Sequence, residues 1–235
     1  MPDLDKGNTK HPLVILEGVS KNYVEGQQRH VVYDNFCAQF ISSERVALLG
    51  RSGCGKTTLL NLVSGIDLPD SGKIIINGTI ISDLSETERT LFRRQHIGFI
   101  FQFFNLIPTL TVLENLLLPL DLLGKNLQKG KRRALSLLND VGLKDRINSF
   151  PENLSGGEQQ RIAIVRALIH EPILILADEP TGNLDSETSR QVLDLLDNMM
   201  QQNESTLIMV THTSEAAAIA DRVLSIRGSQ LHPTP

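Results

Sequence analysis

The segment Gly50-Arg51-Ser52-Gly53-Cys54-Gly55-Lys56-Thr57 constrains this 235-residue chain more than any other. It satisfies G-x-x-x-x-G-K-[ST], a loop that functions only between a strand and a helix. Both flanks fit: 45–49 is a short apolar run of strand type, and 57–64 has apolar residues at helical spacing up to Gly65. Glycines let backbone N–H groups converge on phosphate oxygens, and the helix N-terminus adds partial positive charge. Gly50, Arg51, Ser52, Gly53, Cys54 and Gly55 are therefore expected to cradle phosphates. Lys56 is expected to bridge the β- and γ-phosphates, Thr57 to ligate Mg²⁺, and Thr58 to donate near the α-phosphate. Cys54 reads either as a small residue that fits the loop or as a thiol acidified by the helix N–H groups and Lys56.

A second run, 173–177, is a buried parallel-strand type that delivers Asp178 and Glu179 at its C-terminal end. Open α/β sheets bind ligands at that end. Asp178 is expected to hold Mg²⁺ and Glu179 to act as general base toward a hydrolytic water. Taken alone, the pair could also be a helix-capping acidic turn before Pro180.

Composition narrows the class. Hydrophobic residues at 40% and charged residues at 21% argue for a globular chain with a real core. A net charge of −4 and only 4% aromatic residues, with no Trp, argue against nucleic-acid binding. Cys37 and Cys54 cannot make a disulfide framework, so reduced thiols are expected. No apolar run reaches the length of a membrane span; 97–123 is interrupted by Asn105, Pro108, Glu114, Asn115 and Pro119. Residues 1–12 read as a flexible polar tail without a secretory h-region.

The rest of the chain alternates strand and helix signals. Strands are expected at 13–19, 31–40, 73–76, 79–81, 97–101, 206–210 and 223–226, and Asn77-Gly78 is a hairpin turn signal. Helices are expected at 85–94, 112–122, 129–141, from 155 to about 170, 187–202 and 215–220. The basic residues Lys129, Lys131, Arg132 and Arg133 read as a solvated helix face.

Leu154-Ser155-Gly156-Gly157-Glu158-Gln159-Gln160-Arg161 decides the family. A hydroxyl and two glycines opening a helix make a second anion site. With the two motifs above, this run resembles the signature of ATP-binding-cassette ATPases, and the resemblance covers about 14–230. It implies an α/β P-loop NTPase core with a mostly parallel sheet, an N-terminal antiparallel β subdomain and an inserted helical subdomain. The parts would be 13–90 and 166–235 for the core and 91–165 for the helical insertion, all within one domain spanning 13–235.

The resemblance also assigns residues. Tyr23 is similar to the aromatic that stacks on adenine, although it could be a plain strand-edge aromatic. Gln102 resembles the family's Q-loop glutamine, expected near Mg²⁺ or the attacking water, against the reading of a loop amide. Asp185 lies in a D-loop-like Asn183-Leu184-Asp185, and His212 resembles the switch histidine that contacts the γ-phosphate. Thr213 stands where relatives often carry an acid. The family's mechanism implies Mg-dependent ATP hydrolysis in a head-to-tail homodimer, with Ser155, Gly156 and Gly157 of one copy closing the phosphate loop of the other.

The runs 99–112 and 177–185 are similar to the group of cassettes that serve lipoprotein release, macrolide export and cell division. That likeness implies a separate membrane permease with few spans and a large extracytoplasmic domain. The cassette would then sit on the cytoplasmic face of the inner membrane. Phe103, Phe104 and Leu106 are either core or part of a docking surface for that permease. The work performed would be export or lipoprotein extraction; the alternative is a regulatory switch acting through a permease-like partner without transport.

Overall fold

A computed structural model of the chain describes residues 11–26, 28–50, 53–227 and 230–234. Among these residues ten strands run in chain order as β1 (Pro12–Glu25), β2 (Gln28–Ile41), β3 (Arg45–Leu49), β4 (Ser71–Ile76), β5 (Thr79–Ile80), β6 (Ile97–Phe101), β7 (Leu174–Asp178), β8 (Thr206–Val210), β9 (Arg222–Arg227) and β10 (Gln230–Pro233). The helices are α1 (Lys56–Val63), α2 (Glu86–His96), α3 (Val112–Leu122), α4 (Leu127–Asp140), α5 (Gly156–Leu168), α6 (Ser186–Asn203) and α7 (Ser214–Ala217).

The strands form two sheets. One is antiparallel, in the order β2-β1-β4-β5. The other has the order β10-β9-β3-β8-β7-β6 and is parallel apart from the β10–β9 pair. Side chains on a strand alternate faces, and both faces of this parallel sheet are covered. Val46 and Leu48, Leu174 and Leu176, and Ile208 and Val210 face α1 and the antiparallel sheet. Ala47, Ile175, Ala177, Leu207 and Met209 face the helical side, where α3, α4, α5 and α6 pack. Each large aliphatic side chain so buried contributes about 1.5–3 kcal/mol. The continuous apolar runs at β7 and β8 follow from this two-sided burial.

Helix ends are fixed by side chains. Ser85 with Glu88, Thr111 with Glu114 and Ser155 with Glu158 form reciprocal capping boxes on α2, α3 and α5. Asn126 and Asp185 cap α4 and α6. Asn115 is fully buried on α3 and satisfies its amide on loop backbone: Oδ1 accepts from Ile107 N–H at 2.8 Å, and Nδ2 donates to the Ile107, Leu110 and Thr111 carbonyls at 3.0–3.1 Å. It thereby ties the stretch after β6 to the helical layer.

Several expectations need correction. The first strand does not stop at 19 but continues to Glu25, through register shifts that break the period-two pattern. Pro12, placed in the expected tail, begins β1; residues 1–10 lie outside the described residues. Ile81 belongs to a 3₁₀ turn, the helix expected at 215–220 is only Ser214–Ala217, and β10 was not anticipated. Residues 91–96 complete α2, and β6 is the edge strand of the parallel sheet, paired with β7 from Ile97↔Leu174 to Phe101↔Asp178.

The α5–β6 contact shows how tightly the layers meet. A Cβ on Gly98 would collide with the Ala167 carbonyl oxygen and come within 2.6 Å of Ile175 Cδ1. Because backbone blocks the space, Gly98→Ala is expected to cost about 1–3 kcal/mol, the range for overpacking. A urea midpoint equal to that of the parent chain would contradict this packing.

Candidate functional site: a phosphate loop between two sheets

β3 ends at Leu49, and α1 begins at Lys56. Gly55 caps α1 with φ 100°, a conformation that favours glycine, and its carbonyl accepts from the Tyr33 hydroxyl at 2.8 Å. Tyr33 is itself fully buried, and burial is the main cause that pushes its phenol far above the usual range. It is a positioning residue that sequence reasoning missed: its only signal was an aromatic on the inward face of β2.

The loop opens onto a cavity of about 390 Å³ lined by Gly50, Gly53, Gly55, Lys56, Thr57 and Thr58, with Tyr23, Val32, Glu179, Val210 and His212 around it. The Lys56 side chain is buried and donates to the Gly50 carbonyl at 2.7 Å, its Nζ also lying 3.8 Å from Cys54 Sγ. The Cys54 thiol packs against Gly50 and the apolar cluster under the loop, the placement of a small residue that fits. Arg51 and Ser52, also expected in the cradle, lie outside the described residues.

Asp178 closes β7 beside the loop. Thr57 Oγ1 donates to Asp178 Oδ2 at 3.3 Å. Burial raises the Asp178 carboxyl above the usual carboxylate range, the Thr57 bond and Lys56 opposing and the Glu179 charge adding to it. A hydroxyl and a carboxylate this close are the hard oxygen donors that suit Mg²⁺. Among the described residues no group of three or more His, Cys, Asp or Glu side chains could hold a metal, so phosphate and water oxygens would complete such a shell.

Glu179 takes a left-handed backbone conformation (φ 46°), and its N–H donates to the Val210 carbonyl at 2.9 Å. This turn aims Glu179 at the cavity, where Oε2 lies 3.2 Å from His212 Nδ1. Two residues from adjacent strand ends are thus brought together, as expected for parallel neighbours β7 and β8.

Gln102 does not line the cavity. Its Nε2 donates to Asn183 Oδ1 at 3.3 Å, while Asn183 Nδ2 donates to the Gln102 carbonyl at 2.9 Å. Asp185 caps α6, accepting from the Glu187 and Thr188 N–H groups at 3.1 and 2.9 Å, and those bonds hold its carboxyl below the usual range. Ser155, Gly156 and Gly157 also lie off the cavity. Ser155 is exposed at the start of α5, and Gln160 on the same helix is fully buried, donating to the Pro180 carbonyl. Gln160 joins the signature helix to the Asp178-Glu179-Pro180 turn, a contact whose only sequence signal was an amide on an apolar helix face. Val32 and Val210 are further cavity walls that the motifs did not reveal.

Comparisons with known proteins agree with this arrangement. Residues 33–182 match the family model described as ABC transporter. An uncharacterised ABC transporter ATP-binding protein of Mycobacterium tuberculosis is 53% identical over 224 residues, 95% of this chain and 90% of that one. The lipoprotein-releasing system ATP-binding protein LolD of Xanthomonas oryzae pv. oryzae is 42% identical over 215 residues, 92% of this chain and 88% of that one. Among solved structures, the dimeric ATP-binding cassette MJ0796, in a post-hydrolysis state bound to ADP and Pi, superposes with a TM-score of 0.84 at 37% identity, covering 93% of this chain and 96% of that one. CbiO1 of Clostridium perfringens, part of an ABC transporter complex, gives the same TM-score at 25% identity, covering 94% of this chain and 87% of that one. A phosphate loop, a strand-end acid pair and a separate signature helix, on a backbone shared with these cassettes over nearly its whole length, make the chain a member of the ABC transporter ATP-binding family and an ATPase.

Proposed function

We propose that the chain powers export or lipoprotein extraction through a separate membrane permease, by ATP-driven head-to-tail closure of two copies. One observation carries the two-copy reading: Ser155, Gly156 and Gly157 lie off the cavity that holds Lys56 and Thr57. A two-fold operator makes two equivalent composite sites from such halves. The 42% identity to a LolD and the dimeric MJ0796 cassette support the same reading.

At each site, Lys56 and the α1 N–H groups would hold the β- and γ-phosphates, and Tyr23 the adenine. Thr57 and Asp178 would hold Mg²⁺, which when bound offsets phosphate charge. Glu179 would take the proton of the attacking water, with His212 beside it orienting the γ-phosphate. The Gln102–Asn183 amide pair would link this chemistry to the D-loop and Asp185, and the partner copy's signature serine would complete the charge stabilisation.

The permease surface is best sought in a groove of about 390 Å³ between α2, β6, α3 and α5. Its apolar walls include Phe99, Phe101, Leu118, Pro119 and Leu122, and Arg93, Arg94 and Arg166 rim it. Their guanidinium groups donate to the Ser64, Gly65, Leu122, Phe104 and Asn105 carbonyls and to the Thr90 hydroxyl, and none of the three pairs with a carboxylate among the described residues. A short cytoplasmic helix with an apolar face and an acidic residue would complement it. This groove draws on residues both before and after Gln102, and Phe103, Phe104 and Leu106 are not among its walls. Leu106 packs on the core, whereas Phe103 is 71% exposed. The cassette would sit on the cytoplasmic face of the inner membrane through this contact; no described helix is long and apolar enough to cross a membrane.

Leu122 is about half exposed and lines the groove. Leu122→Asp is expected to abolish binding of the purified chain to inside-out native membrane vesicles while its ATP turnover in solution persists. Undiminished vesicle binding would remove this groove as the docking site. Loading the vesicles with membrane lipoproteins then tests the work done, since ATP hydrolysis without release would favour the switch role.

A further inference from the structure

We propose that Asp67 and Lys21 form a bracket that positions the Tyr23 ring, setting affinity for the nucleotide base without touching the phosphates. The inference rests on the proposed role of Tyr23 as the adenine platform.

Tyr23 stands near the end of β1 and lines the phosphate cavity with 40% of its surface exposed. An aromatic so exposed at a strand end would ordinarily change rotamer freely. Here its hydroxyl donates to Asp67 Oδ2 at 2.7 Å. The other carboxylate oxygen accepts from Lys21 Nζ at 2.6 Å and from the Leu68 N–H at 2.7 Å. Lys21 is buried, donates also to the Leu68 carbonyl at 2.8 Å, and lies over the Tyr23 ring, 5.1 Å from its centroid. The ammonium thus occupies one face and leaves the other for a base.

The bracket is built on the phosphate helix. The Asp67 N–H donates to the Asn61 carbonyl of α1 at 3.1 Å. Three residues on, Asp70 accepts from Asn22 N–H and Nδ2 at 2.8 and 2.9 Å, and its own N–H donates to the Ser20 carbonyl at 2.8 Å. The turn that follows α1 therefore holds β1 at Ser20, Lys21 and Asn22, the residues immediately before Tyr23. One end of α1 faces the triphosphate and the other carries the anchor of the base platform, so the spacing between the two is fixed before nucleotide arrives. Preorganisation of this kind raises affinity by sparing the ordering cost.

The test compares two ligands on the full chain: KM for Mg-ATP, and the competitive Ki of Mg-tripolyphosphate, which has the phosphates but no base. Asp67→Ala is expected to raise KM about 3- to 10-fold, the worth of one typical hydrogen bond, with kcat and the tripolyphosphate Ki unchanged. Tyr23→Phe, which keeps a stacking ring and removes only the anchored hydroxyl, should show the same split, and the double variant should be no worse than the poorer single. If KM and Ki rise together, Asp67 merely supports the phosphate helix and the bracket is overturned. An unchanged KM in Asp67→Ala or in Tyr23→Phe overturns it as well. Tyr23→Ala separates the two levels: if it too leaves the KM-to-Ki ratio unchanged, the base platform itself is wrong and the bracket falls with it. A ratio raised only by Tyr23→Ala removes the bracket alone.

Discussion

Glu179→Gln is expected to lower ATP turnover by about 10²–10⁴, the range for loss of a general base, and to leave nucleotide binding intact. Each tenfold loss corresponds to about 1.4 kcal/mol of barrier, so the change represents roughly 3–5 kcal/mol at the chemical step. Glutamine is nearly isosteric with glutamate. It can occupy the same left-handed turn, with its N–H still bonded to the Val210 carbonyl, and its amide can still reach His212. The phosphate loop, Thr57 and Asp178 are untouched, so ATP should bind as before. Bound but unhydrolysed ATP would hold two copies together, because it favours the closed pair over separate chains. Size exclusion of the variant with Mg-ATP should therefore show a dimer that disappears with ADP. Normal turnover would remove Glu179 from the base role, and a variant that stays monomeric with saturating Mg-ATP would contradict closure by ATP.

The parts of this site that were legible in the sequence are those whose chemistry is local. The phosphate loop needs a strand, two glycines, a lysine and a helix start within one short stretch, and every one of these is a property of neighbours in the chain. The acid pair is likewise announced by the buried run that precedes it, and the signature serine by the two glycines that follow it in the run 154–161. What remained illegible is held by contacts between distant segments. Tyr33 supports Gly55, Gln160 reaches Pro180, Gln102 pairs with Asn183 and Tyr23 is anchored by Asp67. No local propensity marks such partners, because each of these side chains is also an ordinary strand, helix or loop residue.

The same distinction explains the errors in the fold. The extension of β1 beyond Val19 is hidden by register shifts after Leu16, which destroy the alternation that identifies a strand. β10 holds only four residues, three of them polar or proline, and exists because β9 offers it an edge. The polar helix α2 looks, on its own, no different from the helices that follow β6. Only pairing with β7 assigns β6 to the parallel sheet.

Complementation between two inactive variants gives the sharpest expectation for the composite site. Lys56→Ala removes the buried charge that faces the phosphates, and its homodimer should lose about 10²–10³ in turnover, the magnitude of a lost electrostatic donor. Ser155→Arg fills the exposed start of α5 with a long side chain where the partner's nucleotide would sit. It also forfeits the N-cap, at about 1 kcal/mol, which a helix packed against β6, α3 and α6 should survive. Its homodimer should be equally inactive. In a mixed dimer, one site combines both defects, but the other pairs the intact phosphate loop of the Ser155→Arg chain with the intact signature of the Lys56→Ala chain. Equal mixing before ATP is added makes half the dimers mixed, each with one working site of two, so about a quarter of the parent rate should return. The recovered rate should scale with the product of the two chain concentrations when both are dilute. If the mixture stays inactive while both variants remain folded, Ser155 does not act on the neighbour's nucleotide. If Ser155→Arg alone keeps full activity, each chain hydrolyses ATP with its own loop, and two-copy closure is not required for the chemistry.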